Sequence, residues 1–181
     1  MGVKTVKYNA DLNSLTYSDV LVDIVIFDRT NSFSELSSKG GLQYTVIRTT
    51  NKTDGLEIEH LINANTGITV RFAVKKNGKY HSVGDTPAII EYNGEDGAVS
   101  SESWYKDGLL WRAGDAPASV EYWPSEHGGR PVVMRETWYG DEGLMLSSDN
   151  YPAMRQYDAR GVLVKELFTG GESGPRVENY R

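Results

Sequence analysis

A module of about thirty residues, written three times, restricts this chain more than any other feature of its sequence. Placing Gly78 on Gly108 also puts Gly84 on Gly114, Asp85 on Asp115, Pro87 on Pro117, Ala88 on Ala118 and Tyr92 on Tyr122, with no gap at an offset of 30. A third copy follows at an offset of 35, bringing Gly143, Pro152, Ala153 and Tyr157 into the same register. Between the copies stand "ESWY" at Glu102–Tyr105, "ETWY" at Glu136–Tyr139 and a decayed "ELFT" at Glu166–Thr169. Agreement at so many spaced positions identifies an internal repeat, whose units each bury too little surface to stand alone and must stack.

Each unit reads as a β-hairpin. "PAIIEY", "PASVEY" and "PAMRQY" are short, rich in β-formers and opened by a proline, which suits only the start of a strand. The turns "NGEDG", "WPSEHGGRP" and "DARG" carry the Gly and Asx residues that tight reversals need. Return strands then run through "AVSSESWY", "VVMRETWY" and "VLVKELFT". Strict alternation puts Val132, Met134, Glu136 and Trp138 on one face, and Val162, Val164, Glu166 and Phe168 likewise. That face is expected to be the better buried. The tyrosine row that includes Tyr139 takes the half-exposed one, so that Trp104 and Trp138 are equivalent and substantially buried.

The motif "WYKDGLLWRAGDAPASVEY" resembles the repeats of MORN-variant proteins, which occur in bacteria, phages and large viruses. The resemblance covers about residues 75–170 and implies a repetitive antiparallel sheet. It departs where that family usually has a histidine before the arginine: here Trp111 precedes Arg112, and the first copy has His81 followed by Ser82.

Residues 1–74 are not part of the repeat. "DVLVDIVIF" at Asp19–Phe27 is a continuous apolar run, the pattern of a strand buried on both faces. "LQYTVIRTT", "LEIEHLI" and "ITVRFAV" read as a three-stranded meander turned at "NKTDG" and "NANTG". One or two short helices at most are expected, near Ser32–Ser38. The fold class is therefore all-β and mostly antiparallel: an N-terminal β-rich segment (1–74), continuous with or packed on a β-hairpin repeat region (75–181), the two forming one structural unit.

Composition narrows the function. Formal net charge is −6, about −1 of it in residues 1–74 and −5 in 75–181, so no basic stripe is available for phosphates and nucleic-acid binding is not expected. The chain has no cysteine, which removes disulfides and thiolate-ligated metals. It lacks a signal-type or membrane-spanning apolar run and is expected to be cytoplasmic and unanchored. His60, His81 and His127 have no partner at metal-site spacing, and no nucleophile elbow, Walker loop or dinucleotide fingerprint occurs. Neither an enzyme nor a cofactor or metal is expected.

Several residues invite a functional reading. Asp23 stands inside an apolar run, where a charge costs several kcal/mol (on the order of 5) unless paired. A bulge, an edge position or a salt bridge to Arg48 or Arg71 accounts for it, the alternative being a raised-pKa acid or a metal-binding carboxylate. Glu102, Glu136 and Glu166 recur with the module, and a residue repeated with the fold belongs to the fold, here bonding a neighbouring strand or turn. Functional residues should sit where the copies disagree. The largest disagreement is the long tip "WPSEHGGRP", which marks Trp123, His127 and Arg130 as candidate partner contacts, with Trp111 as a second anchor. The opposing reading makes the tip a tolerated insertion whose Trp123 folds back over the sheet. The expectation is a protein-binding module for a basic partner. A virus-encoded inhibitor docked on a host enzyme or defence complex is its specific version, and a glycan- or nucleotide-binding protein with stacked aromatics is the alternative.

Overall fold

In a computed structural model the described residues are 6–8, 20–29, 42–51, 55–63, 65–124, 131–145, 147 and 151–180, with side chains described from Gly55 onward. Among them there is no helix, and the segment around Ser32–Ser38 lies outside them. No helix is long and apolar enough to cross a membrane.

Four long strands open the fold after a short edge strand: β1 (Val6–Tyr8), β2 (Val20–Arg29), β3 (Leu42–Asn51), β4 (Leu56–Asn63) and β5 (Thr69–Lys76). The module region contributes β6 (Lys79–Tyr80), β7 (Ile89–Tyr92), β8 (Val99–Ser103), β9 (Tyr105–Lys106), β10 (Leu109–Leu110), β11 (Ser119–Tyr122), β12 (Val133–Thr137), β13 (Met154–Tyr157), β14 (Leu163–Phe168) and β15 (Arg176–Asn179). All except β9 and β10 join one antiparallel sheet of 13 strands, ordered as in the chain, with β6 alone off that path, on β5. Contacts between elements run chiefly between hydrogen-bonded neighbours, so the described residues form a single layer. β5 pairs with β4 on one side and β7 on the other, making the two halves one continuous sheet.

Asp23 lies mid-strand in β2, which is paired on both sides without a register shift, so it occupies neither an edge nor a bulge. Its cross-strand neighbours are Lys7 and Arg48. Its side chain lies outside the described ones.

A single layer must find its core between strands. The register continues from Ile89↔Ser103, Ser119↔Ser103, Ser119↔Thr137, Thr137↔Met154 and Met154↔Leu167 into the next row, giving Ala88, Trp104, Ala118, Trp138, Ala153 and Phe168 side by side on one face. Alanine and aromatic alternate. Ala88, Ala118 and Ala153 are at most 1% exposed, Trp104 is 5% and Phe168 4%. Trp104 and Trp138 thus each stand between two neighbours that have no side chain beyond Cβ to obstruct the ring, and Phe168 stands between Ala153 and Arg176. The proline before each alanine stands just outside its strand, where the missing N–H removes no ladder bond, while Ala88, Ala118 and Ala153 each donate to the next strand (2.8–3.0 Å). Trp138 differs from Trp104 in being only half-buried, and Thr137 on the other face is buried instead.

The return strands end earlier than alternation implies. At Trp104 the chain leaves the main sheet and makes the separate β9–β10 hairpin, closed by Asp107 and Gly108, both at positive φ (52° and 90°) as a two-residue hairpin turn demands. Strict alternation also fails upstream. Register shifts recur at Glu91/Tyr92, Glu121/Tyr122 and Gln156/Tyr157, each leaving one extra residue on the return strand. In the second of these the extra residue is Met134, which is turned to the face of Ser101, Ser103 and Ser119 rather than that of Glu136.

Ordinary alternation puts each tyrosine on the face of the preceding strand's glutamate, two residues beyond Val120, Glu102's partner, and beyond Arg155, Glu136's partner. Tyr122 Oη donates to Glu102 Oε2 (2.6 Å), Tyr157 to Glu136 Oε2 (2.7 Å) and Tyr180 to Glu166 Oε2 (2.5 Å). The repeated glutamates therefore tie adjacent strands. Tyr80, Tyr105 and Tyr139 are half-exposed, with the Tyr80 and Tyr105 ring centroids 5.4 Å apart.

Two outcomes test this packing. Ala118→Leu forces extra volume between Trp104 and Trp138 and should cost about 1–3 kcal/mol, lowering the melting temperature by several degrees, whereas Ala113→Leu at an exposed site should leave it unchanged. Burial and then the hydrogen bond to Glu136 push the Tyr157 phenol up to about 12. A raised phenol favours the folded state fully below its unfolded value of about 10 and loses that contribution as pH climbs through the folded one. Tyr157→Phe should therefore cost about 1–2 kcal/mol in denaturant titrations at neutral pH and flatten the decline above pH about 10.

Candidate functional site

The second module shows how a ring on this sheet is clamped. Trp104 donates its indole N–H to the Asp85 carbonyl (3.0 Å). The β9–β10 hairpin returns alongside it, with Trp111 N–H bonded to Trp104 O (3.0 Å), and so delivers Arg112 over the indole at 3.7 Å from the ring centroid. The guanidinium is held there by Asp85 Oδ1, at 2.9 Å from Nε and 2.8 Å from Nη2, and by the Pro117 carbonyl. One residue, Asp85, thus holds the ring through its backbone and the cation through its carboxylate. At the end of the sheet Arg176 lies 3.6 Å above Phe168.

The third module lacks this lid. Trp138 donates to the Asp115 carbonyl (2.8 Å), as its counterpart does to Asp85, but the offset of 35 puts Ser147 where Arg112 would stand. Ser147 turns to the last return strand instead, its Oγ accepting from the N–H groups of Thr169 (2.7 Å) and Gly170 (3.0 Å). Arg155 approaches Trp138 only to 5.4 Å, drawn away by Glu166 Oε1 at 2.9 Å. A cleft of about 340 Å³ remains beside the indole, lined by Asp115, Ser147, Tyr151 and Pro152 and also by Arg112 and Arg155, which are paired with Asp85 and Glu166. Among the described residues no cation pairs with the Asp115 carboxylate, and Tyr151 is 65% exposed.

A second, open basin of about 570 Å³ lies on the other face, floored by Ser101, Ser103 and Ser119 and edged by Trp123, Pro124 and Met134. The serines make it shallow because their side chains leave the middle of the sheet uncovered.

The residues singled out from sequence fall in separate places. Trp123 closes the base of the long loop through its N–H to Val132 O (2.8 Å), and its indole donates to Tyr157 O (3.1 Å), so it does fold back onto the sheet while edging the basin. His127 and Arg130 lie outside the described residues. Trp111 is half-buried: its indole donates to Asp141 Oδ1 (2.7 Å) under the Lys106 ammonium, 4.6 Å from the ring. His81 stands in the same register one module earlier, with Nδ1 3.3 Å from the Asp107 N–H, so both residues join one small hairpin to the next. Trp111 and Trp123 flank opposite ends of β11, and the fold does not bring them together. His60 meets Phe72 edge-on at 5.1 Å, a packed strand residue. Among the described residues no group of three or more His, Asp or Glu could hold a metal ion.

Sequence reasoning missed the Trp138 cleft, although its signal was available: Arg112 stands alone at a register where the other copies have Ser82 and Ser147, and only the third copy sets that serine beside a tryptophan. No family model, curated protein or solved structure matches this chain.

If the Asp85–Arg112 clamp holds Trp104, Arg112→Ala should destabilise by about 1–2 kcal/mol and red-shift the tryptophan emission as that ring meets water. Ser147→Ala removes a strand tie without uncovering Trp104 and should leave the emission unchanged.

Proposed function

We propose that this chain is a non-enzymatic protein-binding module, a rigid repeat sheet whose irregular positions face a partner. The supporting observation is the cleft beside Trp138, the break in a clamp that the neighbouring module completes. Two large groups that the sheet does not use are exposed in this module: Tyr151 in the cleft wall, and Leu144, 67% exposed, on the turn closed by the Gly140 N–H to Leu144 O bond. Aromatic and arginine-rich surface on a stiff scaffold is the composition of binding hot spots. Trp123, His127, Arg130 and Trp111 remain candidate contacts on the same reading, with Tyr151 and Leu144 added. The acidity of the module half favours a basic partner, and inhibition of a host enzyme or defence complex is the narrower form of the proposal.

A second reading has one observation in its favour. The cleft's volume lies within the range of small-molecule pockets, about 300–1,000 Å³, and an indole forms one wall, so a sugar or nucleobase ring could stack there.

Partner capture with the full chain separates the two. A stoichiometric protein partner should be retained, and Tyr151→Ala or Leu144→Ser should weaken it by about 2 kcal/mol or more while changing stability by under about 0.5 kcal/mol. Failure to retain any protein, with tryptophan quenching by a nucleotide or oligosaccharide instead, would establish the small-ligand reading.

A further inference from the structure

Arg112 in the second module is a worked example of what a ring, a carbonyl and a carboxylate in this arrangement bind. Trp104 offers its π-face at 3.7 Å, the Asp85 carbonyl fixes the indole edge, and the Asp85 carboxylate receives the guanidinium from its Nε–Nη2 side. The third module rebuilds the receiving half of this arrangement. Asp115 holds the Trp138 indole through the same backbone carbonyl, and both residues line the cleft. The guanidinium alone is missing, because Ser147 occupies the Arg112 register and bonds elsewhere. Arg155 lines the cleft but does not substitute for it, being 5.4 Å from the ring and paired with Glu166. Arg112, which also lines the cleft, is paired with Asp85, so both cations there are already matched by carboxylates.

We propose that the cleft beside Trp138 is a receptor for an arginine side chain of a partner protein, which stacks on the indole and pairs with the Asp115 carboxylate as Arg112 does within the chain. This rests on the protein-binding reading above and names the chemistry of the contact. Arginine is specified over lysine by geometry. A planar guanidinium can lie flat on the indole while presenting two N–H groups edge-on to a carboxylate, and a tetrahedral ammonium cannot do both. Tyr151 and Pro152 wall the cleft and would cover the aliphatic part of the incoming side chain. A net charge of −6 favours approach of a basic surface.

The test uses the full chain labelled at its tryptophan indoles and three capped tripeptides, Gly-Arg-Gly, Gly-Lys-Gly and Gly-citrulline-Gly, followed by the Trp138 indole resonance. The arginine peptide should shift that resonance saturably and leave Trp104, already covered, unmoved. The lysine peptide should bind about tenfold more weakly or worse, and the neutral citrulline peptide should not saturate. Asp115→Asn keeps the carbonyl that holds the indole, so it should fold with an unchanged Trp138 signal yet weaken the arginine peptide by about tenfold. Ser147→Arg supplies the cation within the chain and should shift Trp138 beforehand and abolish the response. Should that variant lose its tie to Thr169 and unfold, Asp115→Asn carries the test alone. Equal responses to arginine and lysine, full affinity in Asp115→Asn, or no response to the arginine peptide would each overturn the proposal. A partner still captured by the chain and lost on Tyr151→Ala would then leave the protein-binding reading standing without the arginine contact.

Discussion

Alternation of alanine with an aromatic ring across neighbouring strands is the contact on which this fold depends. Where the described residues form a single layer, side chains have no facing layer among them to be buried against, so apolar area is removed from water within the row itself. Trp104 and Phe168 reach near-complete burial with alanines beside them in the row and with Arg112 and Arg176 over their faces. Larger neighbours would lift the rings off the sheet, and smaller rings would leave the row open. The Pro-Ala pair that opens each module strand follows from the same requirement. Proline ends the ladder at a position where no N–H is needed, and alanine leaves room for the ring on each adjoining strand.

Polar contacts then hold the register that the row requires. A tyrosine bonds the glutamate of the preceding strand in three successive places. Guanidinium groups cover rings from different parts of the chain: Arg112 from a returning hairpin and Arg176 from the final strand. Because the sheet repeats, each such device can be compared with its own copies. The departure at Ser147 is meaningful for that reason. A cleft beside a lone tryptophan would be an ordinary surface feature, whereas a cleft where the adjacent copy has an arginine defines the group that fits it.

Trp123 and Trp111 illustrate the opposite case. Both occupy positions where the copies differ, yet each indole N–H is engaged within the chain, by Tyr157 and Asp141. Trp111 does with an indole what His81 does with an imidazole, bracing one small hairpin on the next. Difference between copies is therefore a pointer to be checked against geometry: at Trp111 it is a change of means with the contact preserved, and at Ser147 the contact itself is lost.

The amino-acid sequence by itself determined the all-β class, the meander order, the strand-opening prolines, the turns and the structural role of the repeated glutamates. These follow from local propensity and from a periodicity that any reader of the chain can count. It also marked the Ser82, Arg112 and Ser147 register as one where the copies disagree, without saying what the difference exposes. Tertiary structure alone decided the bulges that turn Met134 to the opposite face, the departure of the chain from the sheet at Trp104, the unequal burial of Trp104 and Trp138, and the cleft at Asp115. A bulge belongs to a pair of strands, since only the partner's register defines which residue is extra. A cleft belongs to several modules at once, because Asp115, Trp138, Ser147 and Tyr151 lie on separate segments that meet only when the sheet has assembled.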